Sequence, residues 1–163
     1  MVKCNRLISK SNANAPYRIG ALAADDFIRS KYPTAKLLHP EDIETSDSKL
    51  GDFDMVYEVE DPPPGEIIIV EAKGDSSPFG SRKIGNEAYQ QGTSKYAATI
   101  MSLMDSKKHG TTEKAAAKSI KSAIQDDIPI RYIHTQAEIS SSGKVSKLKA
   151  KEFDIDIGEF KNG

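Results

Sequence analysis

Three consecutive prolines separate two runs of β-forming residues near the middle of this 163-residue chain. The run at 52–59 contains aromatic and β-branched residues, and the run at 66–73 is rich in isoleucine and valine, as is typical of strands. Proline lacks the N–H that a ladder requires and glycine tolerates positive φ, so segment 61–65 predicts a turn. Two strands joined by so short a loop predict an antiparallel hairpin.

The symmetry of this hairpin determines which residues face each other. If it folds about the first two prolines, Val59 pairs with Glu66 and Asp54 pairs with Glu71. Directly opposed residues point to the same face, with Cβ atoms about 5 Å apart. Lys73 lies two residues beyond Glu71 and shares that face. A slip of one residue would place these side chains on opposite faces of the sheet.

Two carboxylates and a lysine on one face suit metal-assisted phosphodiester hydrolysis. Asp54 and Glu71 provide the oxygen ligands that Mg²⁺ or Mn²⁺ prefers, and the carbonyl of Ala72 is a candidate third protein ligand. The ion would polarise a phosphodiester oxygen and help to generate hydroxide. Lys73 would orient the attacking water and stabilise charge on the phosphate. The alternative interpretation is that Glu71 and Lys73 form an ordinary ion pair at a strand end.

Four short segments resemble a known group of proteins: Phe53-Asp54-Met55-Val56-Tyr57, Val70-Glu71-Ala72-Lys73-Gly74, Gly80-Ser81-Arg82 and Tyr89-Gln90-Gln91-Gly92-Thr93. They resemble the core of the PD-(D/E)xK, or restriction-endonuclease-like, nuclease superfamily. More narrowly, they are similar to the C-terminal nuclease toxin domains of bacterial polymorphic toxins of the contact-dependent inhibition and Rhs types. The resemblance spans about residues 17–155.

The resemblance implies an α/β fold with a restriction-endonuclease-like core, in which helices flank a mixed central β-sheet. It also implies that Asp54 and Glu71 bind the metal and that Lys73 is catalytic. A glutamine on the helix after the hairpin often supports such sites, and here it would be Gln90 or Gln91. The residue before Asp54 is phenylalanine instead of the proline of the family pattern.

The remaining sequence predicts further helices and strands. Residues 17–32 predict a helix, on which Asp25 or Asp26 would be the acidic residue that the family often carries there. The other predicted elements are a strand at 36–39, a polar loop at 41–49, helices at 86–104 and 112–125, and a second hairpin from strands 130–139 and 145–155.

Segment 74–85 is rich in glycine, serine and proline and predicts a loop at the active-site end of the strand. Ser81 and Arg82 within it are candidates to hold a substrate phosphate, Arg82 through both of its guanidinium N–H edges. The alternative interpretation is a solvated basic loop.

The predicted helix 86–104 distinguishes its two glutamines. On a continuous helix Gln90 flanks the buried stripe, whereas Gln91 points away from it. Gly92 weakens this prediction, because Thr93 is an alternative N-cap for a shorter helix.

Composition sets broad limits on function. The net charge is −1 and the pI is about 6.3, which does not favour a nucleic-acid-binding protein, although the net charge can conceal a local basic patch. Cys4 is the one cysteine, so a disulfide framework is excluded. No stretch resembles a membrane span or a signal peptide. We expect a linker at 1–16, a single nuclease domain at 17–158 and a frayed tail at 159–163.

Three functional hypotheses follow. The first is a metal-dependent endonuclease toxin that cleaves DNA, in preference to RNA, in the cytoplasm of a target bacterium. Such a toxin would be delivered within a larger secreted or cell-surface protein and neutralised by a cognate immunity protein. The second keeps the fold but makes the protein an RNA- or tRNA-cleaving toxin, or a restriction or repair nuclease. The third is a binding module, such as an immunity protein or adaptor, which predicts no divalent-metal binding.

Overall fold

The computed structural model describes residues 15–47 and 49–161. The predicted linker 1–16 therefore lies outside the described residues except for its last two positions, which already begin the first helix. The helices are α1 Ala15–Lys31, α2 Ser94–Asp105, α3 Thr112–Gln125 and α4 Ile157–Lys161. The strands are β1 Lys36–His39, β2 Met55–Val59, β3 Glu66–Gly74, β4 Ser81–Ile84, β5 Glu87–Gln90, β6 Ile130–Ile139 and β7 Val145–Phe153.

Five strands form the central sheet in the order β1-β2-β3-β6-β7. The β3–β6 pair is parallel, whereas the other three pairs are antiparallel. Helices cover both faces, so the predicted α/β class with a mixed central sheet flanked by helices is confirmed.

The hairpin around the prolines has the predicted register. Val59 pairs with Glu66, and the ladder continues to Met55 opposite Val70. Strand β2 begins at Met55, so the predicted start at residue 52 is wrong by three residues. Asp54 consequently lies one step beyond the last paired position, directly before the strand.

The sheet is buried on both faces because each face meets a different layer of helices. Helix α1 covers the face formed by alternate residues of the central strands, and α2 with α3 covers the other. The first core contains Ala21, Leu22 and Ile28 of α1 with Met55, Tyr57, Ile68 and Val70. The second contains Ala97, Ile100, Ala116 and Ile120 of α2 and α3 with Val56, Ile67, Ile69 and Tyr132.

The segment between β3 and α2 differs from the prediction. Residues 75–80 of the predicted loop 74–85 do lie outside helices and strands, but residues 81–90, from the end of that loop and the start of the predicted helix 86–104, form the antiparallel hairpin β4–β5. Gly85, at φ 62°, occupies the two-residue turn of this hairpin. Gly92, at φ 91°, prevents a continuous helix, and the Thr93 hydroxyl accepts from the Tyr96 amide to cap α2.

The C-terminal half follows the predictions closely. Helix α3 has the predicted bounds, and β6 and β7 form the predicted hairpin, with β7 ending two residues early. The tail differs, because α4 extends to Lys161, within the predicted frayed segment, and Phe160 is buried in the core with α2 and α3. Residues 162–163 lie outside the described residues.

Candidate active site

Asp54 and Glu71 meet at the end of the β2–β3 hairpin. The exposed fractions of the two residues are 8 % and 1 %, so both carboxyl groups are removed from bulk water. The Ala72 amide donates to Asp54 Oδ2 at 2.9 Å and fixes that carboxylate against β3. Burial raises the pKa of Glu71 well above its usual range, and the charge of Asp54 and a hydrogen bond with it raise the pKa further. Two carboxyl groups in such contact require a shared proton or a cation between them.

Both oxygens of Glu71 receive a hydrogen bond from another element. The Tyr132 hydroxyl, on β6, donates to Oε1 at 2.9 Å. The Gln91 amide, in the turn before α2, donates from Nε2 to Oε2 at 3.0 Å. Gln91 Oε1 in turn accepts from the Gly80 amide at 2.6 Å. The Glu71 carboxylate is therefore held in one orientation from both sides.

The helix-based preference for Gln90 beside the sheet is wrong. Gln90 is the exposed last residue of β5, and its backbone carbonyl accepts from the Thr93 hydroxyl at 2.8 Å. Gln91 contacts Glu71 because the positive φ of Gly92 separates the hairpin from α2. The glutamine that reaches the acidic pair is Gln91, which lies in the turn before α2 and not on the predicted helix, and its support of catalysis stays a prediction.

Lys73 shares the face of Glu71 and is partly exposed, as strand alternation predicts. Its charge lowers the pKa of His134, after the larger effect of burial, so its ammonium lies near both Glu71 and β6. Ala72 is buried, and its amide is engaged by Asp54. A ligand role for the Ala72 carbonyl stays a prediction.

Ser81 and Arg82 begin β4 and differ in burial. Ser81 is exposed and pairs with Gln90, whereas Arg82 is half-buried. Burial first, and the Glu71 charge second, raise the pKa of Tyr96 to about 12, and the positive charge of Arg82 opposes this shift. Arg82 therefore lies within electrostatic reach of Tyr96, and phosphate binding by Ser81 or Arg82 stays a prediction.

Asp25 serves a different part of the fold. It accepts from Arg29 Nε at 2.9 Å and from the Tyr57 hydroxyl at 2.7 Å, on the face of the sheet that α1 covers. Helix α1 instead brings Tyr17 to the acidic pair, and burial followed by the charges of Asp54 and Glu71 raises the Tyr17 pKa.

A cavity of about 610 Å³ opens beside Asp54 and contains a second group of titratable residues. His39 Nδ1 lies 2.9 Å from the Thr112 hydroxyl, and burial lowers the His39 pKa to about 4. With this pKa, His39 is neutral at physiological pH. Asp52 Oδ2 lies 3.9 Å from His39 Nε2, and burial and the nearby Glu113 raise the pKa of Asp52.

The acidic pair fits a divalent cation in part. Among residues 15–47 and 49–161, no group of three or more His, Cys, Asp or Glu side chains could hold a metal ion. The contact between two buried carboxyl groups nevertheless provides two hard oxygen ligands and an excess of negative charge. Backbone carbonyl and water oxygens would have to complete the coordination, as Mg²⁺ sites commonly require.

Sequence reasoning missed the tyrosines around Glu71. Strand alternation groups Tyr132 with His134 on one face of the predicted strand 130–139. The sequence gives no indication that this strand lies beside β3, which is what brings the Tyr132 hydroxyl to Glu71. Tyr17 and Tyr96 belong to the predicted helices but do not stand out there from ordinary core residues.

Comparison with protein-family models, curated proteins and solved structures finds no match. Across the described part of the chain, no helix combines the length and apolar character needed to cross a membrane.

Proposed function

We propose that this protein is a metal-dependent endonuclease toxin of the PD-(D/E)xK, restriction-endonuclease-like superfamily, with DNA as its preferred substrate. One observation carries the proposal: the carboxyl groups of Asp54 and Glu71 are buried in mutual contact, with Lys73 on the same face. Two carboxyl groups buried in contact destabilise the folded protein unless a shared proton or a bound cation compensates their charge. The same residues carry the family resemblance, and the mixed sheet flanked by helices is compatible with it.

Asp54 and Glu71 would hold Mg²⁺ or Mn²⁺, which when bound supplies Lewis-acid polarisation of a phosphodiester oxygen. Cation binding would displace the proton shared by the pair. Tyr132 and Gln91 would keep the Glu71 oxygens in place during this exchange, because each donates to one of them. Preorganised ligands lose little orientational freedom when the cation binds.

Lys73 would act on the substrate side of the pair. Its partly exposed ammonium can orient an attacking water and stabilise negative charge on the phosphate. Arg82, half-buried nearby on β4, would hold a neighbouring phosphate by a bidentate contact, and Ser81 would add a hydroxyl.

The biological setting belongs to the same proposal. The domain would reach the cytoplasm of a target bacterium as part of a larger secreted or cell-surface protein. The producing cell would need a cognate immunity protein that binds tightly, because a free nuclease would cleave that cell's own nucleic acid.

The test is cleavage of plasmid DNA, total RNA and tRNA by the purified chain with Mg²⁺, with Mn²⁺ and with EDTA. We expect plasmid nicking that requires metal and disappears in a Glu71→Ala, Lys73→Ala double variant. A Glu60→Ala, Lys107→Ala double variant is the matched control, because both residues are exposed. Full activity of the first double variant would refute the assignment of the site.

A metal titration separates the nuclease from a binding module. We expect calorimetry to detect Mn²⁺ binding that Asp54→Ala abolishes. Absence of any Mn²⁺ or Mg²⁺ binding by the folded wild-type chain would instead favour the binding module.

A further inference from the structure

An aromatic cluster adjoins the acidic pair on the same face of the sheet. The ring of Phe79 lies 4.6 Å from that of His134 and 5.7 Å from that of Phe153, between ring centroids. Phe153 in turn lies 5.0 Å from Tyr132, the residue that holds Glu71. We call Phe79, His134 and Phe153 the aromatic platform.

The sheet register sets the distance between platform and acidic pair. His134 on β6 is paired with Glu71 on β3, and Lys151 on β7 is paired with His134. Paired residues lie about 4.8 Å apart from one strand to the next, and they point to the same face. The platform therefore begins one strand away from Glu71.

The loop that carries Phe79 is tied to the same site. The amide of Gly80, the next residue, donates to the Gln91 side chain that also binds Glu71. The positions of the exposed ring and the carboxylate are thus coupled through a single glutamine.

Phe79 is more exposed to solvent than a phenylalanine of the core would be. Its exposed fraction is 37 %, and within the described part of the chain only Leu50 is another large hydrophobic residue so exposed. Phe153, which Phe79 contacts, is half-buried on β7, and both phenylalanine rings are apolar. The platform therefore offers an apolar aromatic surface to an incoming group.

Positive charge and an open cavity lie next to this surface. A cavity of about 760 Å³ is lined by His134, Gln136, Lys149 and Lys151 together with Ser76 and Ser77. Two acidic residues, Asp75 and Glu138, also line it, and Glu138 pairs with Lys149 at 3.0 Å. Lys151 on β7 is paired with His134, and Lys73 on β3 is paired with Gln136, two residues further along β6.

We propose that the aromatic platform stacks an unpaired base beside the scissile phosphate. The substrate is therefore a single-stranded stretch of nucleic acid, which a supercoiled plasmid offers where its duplex is locally unpaired. This inference rests on the proposed nuclease function. The bases of a duplex are stacked on one another, so their faces are not available to Phe79, whereas unpaired bases stack readily on aromatic side chains. Lys73 and Lys151 would contact the phosphates on either side. DNA and RNA share this chemistry.

Binding by a cleavage-deficient Glu71→Gln chain tests the inference without requiring catalysis. The probes are single-stranded and duplex oligonucleotides of one sequence, as DNA and as RNA, each with one 2-aminopurine whose fluorescence reports stacking. We expect single strands to bind at least tenfold more tightly than duplexes and to quench the fluorophore. Whichever single strand binds more tightly distinguishes DNA from RNA as substrate.

Substitutions of Phe79 in the same background separate stacking from general packing. Phe79→Ala and Phe79→Leu should weaken single-strand binding about 10- to 100-fold and remove the quenching, whereas Phe79→Trp should preserve both. Leu50→Ala is the control for an exposed apolar residue. Equal binding of single strands and duplexes, or binding unchanged in Phe79→Ala, would overturn the platform. Metal-dependent cleavage by the wild type would still stand in that case, so the two proposals fail separately.

Discussion

The Gln91 amide donates to the Glu71 carboxylate at 3.0 Å across 20 residues of chain. Strand β3 carries the carboxylate, whereas the turn before α2 carries the amide, so two separately formed elements fix one ligand orientation. The immediate neighbour Gln90 is exposed and makes no such contact. This pair of glutamines provides a matched comparison.

Gln91→Ala should lower nuclease activity about tenfold to 100-fold, whereas Gln90→Ala should leave it unchanged. Loss of the amide removes the donor to Glu71 and also releases the Gly80 amide. Initial rates of plasmid nicking at saturating Mg²⁺ measure the effect. A larger loss in Gln90→Ala than in Gln91→Ala would contradict the site described above.

Tyr132→Phe should weaken Mn²⁺ binding. The Tyr132 hydroxyl hydrogen bond lowers the pKa of Glu71 against the larger opposing effects of burial and Asp54. Without it the carboxyl group holds its proton more tightly, so the cation competes less well. Calorimetry with Mn²⁺ at pH 7 measures the change.

Tyr57→Phe is the control for this substitution. Its buried hydroxyl also binds a carboxylate, Asp25, at 2.7 Å, but on the opposite face of the sheet. Each variant should lose about 1 kcal/mol of stability, and only Tyr132→Phe should alter metal affinity. An equal effect of both on Mn²⁺ binding would indicate a general effect of destabilisation.

Glu71→Gln should stabilise the metal-free protein increasingly as the pH rises. The folded-state pKa of Glu71 is raised above its ordinary value of 4.5. The contribution of the protonated Glu71 to protein stability is therefore complete below pH 4.5 and is lost as the pH rises through the folded-state pKa. Glutamine carries no charge and avoids that loss. Urea unfolding at pH 5 and pH 8, with EDTA, should show a gain on the order of 1–3 kcal/mol at the higher pH alone.

Asp25→Asn provides the contrasting acid in the same measurement. Asp25 is paired with Arg29 and Tyr57, so its substitution should destabilise the protein at both pH values. A Glu71→Gln variant less stable than the wild type at pH 8 would mean that the acidic pair is stabilising in the absence of metal.

The stability that the neutral His39 contributes should be lost as the pH drops from 6.5 to about 4. His39 has an ordinary pKa of 6.5 and a folded-state pKa lowered by burial to about 4, so unfolding takes up a proton in this interval. The loss attributable to His39 is at most about 3 kcal/mol, and the raised pKa values of Asp52 and, in the metal-free protein, of Glu71 act in the opposite direction. His39→Asn should remove this loss from the pH profile, whereas exposed His109→Asn should leave it in place.

Gly92→Ala should destabilise the protein by roughly 2–4 kcal/mol and lower activity as well. Its φ of 91° is strained for alanine, and the added Cβ would overlap the ring of Phe153. Gly85→Ala is the matched control, because Gly85 also has positive φ but a Cβ there meets nothing within 4 Å. We expect Gly85→Ala to cost about 1 kcal/mol in thermal unfolding experiments.

Local chemistry made part of this structure predictable. The prolines of segment 61–65 and the strands beside them set the hairpin, and its register pairs Val59 with Glu66 as expected. Helix α3 was also predictable, since its apolar positions recur with helical spacing and Thr111 caps it. In both places the information lies within a few neighbouring residues.

Non-local contacts were not predictable from one sequence. The β3–β6 pairing joins strands separated by two helices and a hairpin, and no residue pattern specifies it. That pairing brings Tyr132 to Glu71, so the sequence could not identify this hydroxyl. The prediction that Gln91 points away from the sheet failed for a local reason. It assumed a continuous helix, whereas the positive φ of Gly92 changes the direction of the chain before α2.

The parallel pairing of β3 with β6 also affects the order of folding. The β2–β3 hairpin joins residues close in sequence, so loop closure costs it little, whereas Tyr132 must close a loop of 61 residues to reach Glu71. A chain emerging from a ribosome or a translocation pore therefore possesses both carboxylates well before it possesses Tyr132, one of the two donors to Glu71. Completion of the hydrogen bonds around Glu71 would coincide with the most non-local step of folding, after most of the chain has cleared the pore.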